Sequence, residues 1–593
     1  MRVCLGQINT TPGDFSGNVE RIKQGIVQAA DQQCDAIIFP ELSIPGYLSQ
    51  DLIYSSGYVD ANLQALQEIV SFSGLVDAPD LHVLVGYIEP NPEPGKPYFN
   101  AAAVVRKGKL LTTYHKMLLP FYDVFDELRY FQAGDKPVTF EIGDQTVGIA
   151  ICEDLWNDKG QDDYSYSNNP LAVYRQKEVD LVFALNSSPY IHNKCQQRLD
   201  ALGSASLEMA IVYVNQWGGQ DELVFDGQSF VMANGELLFL SEELNRDEFA
   251  VVELPAGQDE STLDNASPIT PGRNNGQTTR SKPPIALYDM LRLGLRDYVL
   301  KSGFSSLVFA SSGGVDSALV GQLACDAIGA ENVHGVRLPS IFSSEHSRTD
   351  AVLLHEQLGC WDYEVPIEHE ALVEMLNNQF RQHEDPENLV HQVFSGQHYG
   401  EVADQNIQAR LRDLYVMHFS NAYGAMPLST GNKTESACGY YTHFDMNFSF
   451  APIKDLYKRE VFALARSSER IPSSIWMKPP SAELAEGQLD EQSLLPYAVL
   501  DPLVQAYIED YINQFPAFSE WVLDAIASEQ TISSQPEYLL NWLKDAQSAV
   551  SYQRIVSLIG RMEYKRRQTC LGTKVSKVAF GIGRRIPIVE KWS

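Results

Sequence analysis

Cysteine is sparse and unpatterned: eight are spread over 593 residues with no CxxC pair among them. That argues against both a disulfide framework and a zinc knuckle. The 12 histidines include no HExxH spacing, so a catalytic zinc of that type has no ligand set. Long apolar runs are missing too, and the opening Met1-Arg2-Val3-Cys4-Leu5 enters a strand-like run without a small-residue cleavage site. A soluble, cytoplasmic protein with no membrane partner is expected. Positive charge is short: 45 Lys and Arg stand against 77 Asp and Glu, a formal net charge of -32. Nucleic acid is therefore not expected as a partner, because duplex binding needs a dense basic footprint. No repeat of solenoid period and no low-complexity tract occurs.

What is present is length and alternation. With 44% hydrophobic residues over 593 positions, one core is not enough and several domains are expected. Residues 1–260 alternate short β-rich runs (Val3 to Ile8, Ala36 to Phe39, Leu81 to Gly86, Ala102 to Val105, Thr146 to Ile151, Leu181 to Ala184, Ile211 to Val214, Ser229 to Met232) with helical stretches such as Val19 to Ala30 and Tyr58 to Ser71. This predicts an α/β domain. Apolar periodicity fades across 261–284, which reads as a linker. From 285 to 593 the pattern becomes helix (Ala286 to Leu300), strand (Leu307 to Ala310), helix (Ser317 to Ile328), strand (Val333 to Leu338), helix (Ser347 to Leu358) and strand (Tyr363 to Pro366). That order predicts a doubly wound parallel sheet with ligands at the strand carboxyl ends.

The most informative segment is Ser312-Gly313-Gly314-Val315-Asp316-Ser317, between the strand-like Leu307 to Ala310 and a helical run. Glycines let the backbone approach an anion, and the helix N-terminus and serine hydroxyls supply donors. Five fixed letters give a chance match on the order of one in a thousand for a chain this long. A Walker loop would carry a lysine, whereas this turn keeps an acid, Asp316, where a magnesium ion could sit. Such a cradle suits a whole pyrophosphate, the leaving group when ATP is split between its α and β phosphates. The plainer alternative is a tight capped turn without a ligand.

In the first domain three reactive residues sit where strand patterns stop: Glu41 after Ile37-Ile38-Phe39-Pro40, Lys116 after Tyr114-His115, and Cys152 after Val147 to Ile151. A cysteine attacks an amide carbonyl only as a thiolate, so a base and a cation are wanted. Glu41 could move the proton and Lys116 could stabilise the carboxylate or oxyanion. The three together describe an amidase. A lone cysteine in an apolar strand is usually a core residue; what lifts Cys152 is its strand-end position followed by two acids.

Pro40-Glu41-Leu42 with Gly46-Tyr47, Tyr114-x-Lys116-x-x-Leu119-Pro120, Phe125-Asp126-Glu127 and Ile151-Cys152-Glu153-Asp154-x-Trp156 resemble the motifs of the nitrilase, or carbon–nitrogen hydrolase, superfamily. The resemblance implies a nitrilase-like αββα sandwich with a Glu41–Lys116–Cys152 triad and Glu127 as an additional carboxylate. Asn186-Ser187-Ser188-Pro189-Tyr190 with Lys194 resembles the glutamine pocket of the glutaminase members. Ser188, Lys194 and Tyr122 would line it.

The likeness continues through Leu338-Pro339-Ser340, Asn406-x-x-Ala409-Arg410-x-Arg412, Thr430-Gly431-Asn432-Lys433-Thr434-Glu435, Lys478 to Leu484 and Glu563 to Gln568, which resemble the blocks of the glutamine-dependent NAD synthetase family. It implies an ATP-pyrophosphatase domain in which ATP adenylates deamido-NAD and ammonia displaces AMP. By the same likeness Ser312, Gly313, Gly314, Asp316, Ser317 and Thr430 would bind ATP. Asn406, Glu435 and Lys565 would contact deamido-NAD, Asp316 and Glu435 would hold Mg2+, and the chain would form a homo-oligomer. Ammonia has to pass internally, since only the neutral amine is nucleophilic. The plainer reading of Glu435 is a helix-cap carboxylate.

The basic stretch from Arg561 to Arg585 inverts the sign of the chain, and two anionic substrates turn it towards a ligand role. Departures occur at His443 to Ser449, shorter and bulkier than the family pattern, and at Arg337 and Gln405. They motivate an alternative: an amidotransferase of the same folds acting on a different carboxylate. Residues 485–560 are rich in helical pattern and carry no chemistry of their own, and Gly581-Ile582-Gly583-Arg584 reads as a loop.

Overall fold

The structure is a computed structural model, and it describes residues 1–78, 80–156, 166–254, 286–381, 400–442, 448–488, 490–492, 494–581 and 583–589. The expected linker 261–284, Ile582, and positions 443–447 of the departure stretch lie outside the described residues. Two compact units divide the chain, Met1–Leu293 and Gly294–Ser593.

The first unit contains strands β1 (Arg2–Gln7), β2 (Ala36–Ile38), β3 (His82–Pro90), β4 (Tyr98–Arg106), β5 (Lys109–His115), β6 (Thr139–Ile142), β7 (Gln145–Ile151), β8 (Leu181–Asn186), β9 (Ala210–Asn215), β10 (Trp217–Gln220), β11 (Leu223–Asp226), β12 (Phe230–Ala233), β13 (Glu236–Leu240) and β14 (Glu248–Glu253). They build two six-stranded sheets, β14-β1-β2-β3-β4-β5 and β13-β12-β9-β8-β7-β6, beside the hairpin β10-β11. The strand period of two decides which residues go where. Val3, Leu5, Ile38 and Leu84 of one sheet meet Val147, Ile149, Phe183 and Val212 of the other in a shared core. Their neighbours Cys4, Ile37, Val83 and Val85 face the opposite way, onto the helices Phe15–Asp31 and Tyr58–Ser73. Ala150, Val182 and Ala184 do the same on the second sheet, packing with Leu171 and Leu202 of the helices Pro170–Gln176 and Lys194–Gly203. The result is the αββα sandwich.

Two local features aim the ends of these strands. After β2 the chain crosses β3 so closely that a Cβ on Gly86 would lie 2.1 Å from the Leu42 nitrogen and 2.8 Å from the Glu41 carbonyl carbon. Only glycine allows that approach, and the crossing is stitched by the Ile44 N–H to the Gly86 carbonyl at 3.0 Å. At the end of β7, Cys152 takes a left-handed φ of 45° before a 3-10 turn, Cys152–Leu155. A non-glycine residue in that region is strained and commonly functional.

The second unit is built on β15 (Leu307–Ala310), β16 (Val333–Arg337), β17 (Trp361–Glu364) and β18 (Met426–Leu428). All pairs are parallel, in the order β17-β16-β15-β18. The chain runs outward from β15 through β16 to β17 and then crosses to β18 on the other side of β15, so the crevice at the carboxyl end of β15 is the switch point of the sheet. The turn that occupies it is Ser311 to Gly314, leading into the helix Val315–Ile328.

Residues 485–560 supply the helices Tyr497–Glu509, Phe515–Ala527, Pro536–Leu543 and Ser548–Arg561. Their apolar core takes in Ala437, Cys438 and Tyr457, the flanks of the segments that carry Glu435 and Lys458.

Gly86→Ala is expected to destabilise the first unit by about 1–3 kcal/mol through overpacking against backbone. Gly203→Ala, at a helix end where the new methyl would have nothing within 4 Å, is expected to be neutral or stabilising. Denaturant midpoints of the two variants check this; equal midpoints would show that the Gly86 crossing is not tight.

Candidate active sites

In the first unit, Lys116 emerges from β5, Glu41 from β2 and Cys152 from β7, and all three are buried. The Lys116 Nζ donates to Glu41 Oε1 at 2.6 Å and to Glu127 Oε1 at 2.8 Å. Asn100 of β4 donates to the same Glu41 oxygen at 2.7 Å, the Tyr47 hydroxyl donates to Glu127 Oε1 at 3.2 Å, and the Ser187 N–H donates to Glu41 Oε2 at 3.2 Å. One ammonium thus serves two carboxylates, and all three groups are shielded from bulk solvent.

Charge follows from this crowding. Burial raises the Glu127 carboxyl to about 7, Lys116 opposing and Glu41 adding to the rise. Burial alone would lower the Lys116 ammonium, but Glu127 and Glu41 win and hold it well above its ordinary value. Burial and then Glu41 push the Cys152 thiol well up, against the pull of Lys116. The thiol thus lies within the electrostatic reach of both Glu41 and Lys116, with opposite effects on its charged form.

Two of the expected glutamine-pocket residues, Tyr122 and Lys194, are tied to the turn after the thiol. The Tyr122 hydroxyl lies 3.0 Å from both oxygens of Glu153, whose Oε1 also accepts from Tyr166 at 3.0 Å. The Lys194 Nζ stands 4.3 Å from the centre of the Trp156 ring. Ser188, at the end of β8, is held from beneath: its N–H donates to Asn215 Oδ1 at 2.9 Å and its carbonyl accepts from Arg198 Nη2 at 2.8 Å. Arg198 is itself fully buried and paired with Asp226 at 2.9 Å.

In the second unit a cavity of about 340 Å³ opens at the β15 switch point. Gly313 has φ 73°, and a Cβ there would meet the Ser347 carbonyl oxygen at 2.2 Å. Ser312 Oγ and Ser317 Oγ lie 3.1 Å apart, and the Gly314 N–H donates to Ser312 Oγ at 3.2 Å, so hydroxyls and amides line the turn. Thr430, Glu435, Tyr441 and Thr442 border the same cavity. Asn406 reaches it through Thr442, whose hydroxyl donates to Asn406 Oδ1 at 2.7 Å. Lys565 does so through the carbonyls of Gly439 (3.0 Å) and Tyr441 (2.9 Å).

Sequence reasoning missed Lys458, which stands between the two carboxylates expected at a metal: its Nζ donates to Asp316 Oδ2 at 2.6 Å and to Glu435 Oε1 at 2.9 Å. A signal was available, because Lys458 opens the helix Lys458–Ser467, where the helix dipole disfavours a cation. Burial raises the Glu435 carboxyl to about 7, Lys458 pulling it down and Asp316 pushing it up. Glu435 is also a cap: with Asn432 it closes a capping box at the helix Lys433–Cys438, so the structural and the site readings coexist. Among the described residues no three His, Cys, Asp or Glu side chains form a metal cluster. Two carboxylates meeting at one point suit magnesium where phosphate oxygens complete its shell.

In the basic C-terminal stretch Arg566 and Lys574 are buried, whereas Arg561, Arg567, Lys577 and Arg585 are exposed. Arg566 is buried and donates to the Ala437 carbonyl at 2.7 Å, Lys577 pairs with Asp510 at 2.9 Å, and Arg584 lies 4.1 Å from the Tyr511 ring centre. Arg566 and Lys565 hold the end of the helix that carries Glu435. Arg337, a departure near the cavity, is committed to Asp362 at 2.7 Å and to Glu364.

The carbon–nitrogen hydrolase family matches residues 2–243 and the NAD synthase family residues 287–536. A glutamine-dependent NAD(+) synthetase of Thermotoga maritima is 34% identical over all of this chain and 99% of its own length. The chain belongs to the glutamine-dependent NAD(+) synthetases. One from Acinetobacter baylyi is likewise 34% identical, over 100% of this chain and 98% of its own. The structure of such a synthetase from Acinetobacter baumannii in complex with ADP superposes with a TM-score of 0.68 at 31% identity, covering 100% of this chain and 99% of that one.

Lys116→Met would leave two carboxylates buried without their cation, and a loss of about 3–5 kcal/mol in the first unit is expected. A carboxyl whose folded pKa is raised stabilises below its unfolded value and loses that as pH climbs through the folded one. Because the Glu127 value of about 7 already includes the pull of Lys116, the carboxyl titrates higher still in the variant, and the deficit relative to the parent should deepen as pH rises above about 7. Chemical unfolding across that range checks it, and a variant as stable as the parent would show that the ammonium is dispensable.

Proposed function

We propose that this chain makes NAD from deamido-NAD, ATP and glutamine, with a glutaminase domain at 1–260, a linker at 261–284 and an ATP-pyrophosphatase domain at 285–593. The observation that carries the reading is the buried Glu41–Lys116–Glu127 cluster, whose charges act on the Cys152 thiol.

Glutamine would be held by Tyr122, Ser188 and Lys194 with its side-chain amide against Cys152. As the sulfur attacks the carbonyl carbon, Glu41 Oε2 takes the thiol proton, since Oε1 is engaged by Lys116 and Asn100. Lys116 offsets the oxyanion charge. When the C–N bond breaks, Glu41 returns the proton to the departing ammonia; water, deprotonated by Glu41, then cleaves the thioester to glutamate. Glu127 keeps Lys116 charged through the cycle.

In the second domain the carboxylate of deamido-NAD attacks the α-phosphorus of ATP and pyrophosphate departs into the turn of Ser312, Gly313, Gly314 and Ser317. Thr430 would contact ATP; Asn406, Glu435 and Lys565 would position the dinucleotide. Asp316 and Glu435 would hold Mg2+, which when bound supplies positive charge to the phosphates, and Lys458 keeps the two carboxylates together. Ammonia then displaces AMP from the acyl adenylate, giving the amide of NAD. A cytoplasmic homo-oligomer fits an acidic chain in which no described helix is long and apolar enough to cross a membrane.

Cys152→Ala is expected to abolish glutamine-supported synthesis, by at least about 1,000-fold, while ammonia-supported synthesis persists. Asp316→Ala is expected to remove synthesis with either nitrogen donor. Assaying NAD and AMP with glutamine or ammonium chloride tests both: loss of ammonia-supported synthesis in the first variant, or full activity in the second, refutes this division of labour.

A further inference from the structure

Asp154, two residues beyond the thiol, is used by no step above, yet it is among the most constrained groups in the first unit. It is fully buried. Its Oδ1 accepts from the Met117 N–H at 3.0 Å and the Leu118 N–H at 2.8 Å; its Oδ2 accepts from the Ile151 N–H at 2.9 Å and the Tyr114 hydroxyl at 2.8 Å. Those donors are not scattered. Two follow Lys116 immediately, one immediately precedes Cys152, and the fourth lies two residues before Lys116. A carboxylate has room for about four such bonds, and here every one joins the segment bearing the cation to the segment bearing the nucleophile or closes the turn of the nucleophile itself.

Resting on the reading of Cys152 as the glutaminase nucleophile, we propose that Asp154 is a positioning residue: a buried carboxylate clamp that sets Lys116 against the Cys152 turn. The two strands concerned, β5 and β7, belong to different sheets, so no ladder hydrogen bond fixes their ends relative to each other. The sandwich core holds them only by side-chain packing, which leaves the register of two loop ends to a polar tie. The left-handed φ of Cys152 needs over-determining neighbours to persist, and the bond from Ile151 to Asp154 closes the turn from the other side. Burial raises the Asp154 carboxyl to about 6, with the Ile151, Tyr114 and Leu118 bonds opposing, so the ionised acceptor form prevails at neutral pH. Tyr122, Ser188 and Lys194 make none of these four bonds; Tyr122 and Lys194 touch the turn only through Glu153 and Trp156. The clamp is therefore expected to act on turnover and not on glutamine affinity.

The test is Asp154→Asn in the full chain, which keeps size but turns half of the acceptor into a donor facing N–H groups. Glutamate release gives kcat and KM for glutamine, circular dichroism reports folding, and Cys152→Ala runs alongside. A fall in kcat of about 10- to 100-fold with KM within about threefold is expected, with ammonia-supported synthesis unchanged. Should Asp154→Asn not fold, Tyr114→Phe decides by the same split, removing one donor and leaving the carboxylate the other three; a kcat loss of about two- to tenfold is expected there. Unchanged kcat, or a raised KM with kcat kept, overturns the clamp. Glutamine hydrolysis surviving in Cys152→Ala would instead refute the nucleophile reading on which it rests.

Discussion

A lysine ammonium held between two carboxylates is the constraint on which both candidate sites depend. Lys116 does this for Glu41 and Glu127, and Lys458 does it for Asp316 and Glu435. Desolvating such groups is expensive, and their attraction repays the cost only when geometry and additional hydrogen bonds are good. Each triad is therefore surrounded by polar partners: Asn100, Tyr47 and Ser187 in the first unit, Asn432 in the second. With two acids to one base, both clusters carry a raised carboxyl near neutrality.

The folds deliver these groups by the same device. Side chains at the carboxyl ends of strands project beyond the sheet, where backbone ladders stop and solvent or substrate can enter. Gly86 lets the Glu41 segment cross its neighbour, Cys152 turns through a left-handed φ, and Gly313 brings the β15 turn against Ser347. The helices of 485–560 act at a distance: Asp501 accepts from Thr434 at 2.6 Å and from the Arg459 N–H at 2.7 Å, and Lys433 lies 3.2 Å from Glu509. These bonds fix the segments that flank Glu435 and Lys458. The region with no legible chemistry is thus a buttress.

Much of the architecture was legible because alternation reports burial directly. The strands around Val3, Ile37, Val147 and Val182 lie within a few residues of the expected runs, and their odd and even positions separate cleanly into two cores. The edge strand of the second sheet was misplaced, at Trp361–Glu364 and not Tyr363 to Pro366, since its exposed sequence carries little apolar pattern. Strands β6, β10, β11, β13, β14 and β18 went unannounced for want of a strong periodic signal. Glu41, Lys116 and Cys152 could be grouped because each ends a strand. Lys458, Asp154 and the Arg198–Asp226 pair could not, because their partners are 142, 37 and 28 residues away and no local pattern encodes such distances. In the basic C-terminal stretch, Arg566 answers the Ala437 carbonyl and Lys577 answers Asp510, partners that folding brings from elsewhere.

The most direct test of the central claim is to follow the nitrogen. Supplying deamido-NAD, ATP, magnesium and amide-15N glutamine, and weighing the products by mass spectrometry, should give NAD carrying the label in its carboxamide, with AMP and pyrophosphate formed in equal amount. Unlabelled product, or ADP and orthophosphate in place of AMP and pyrophosphate, would contradict the account.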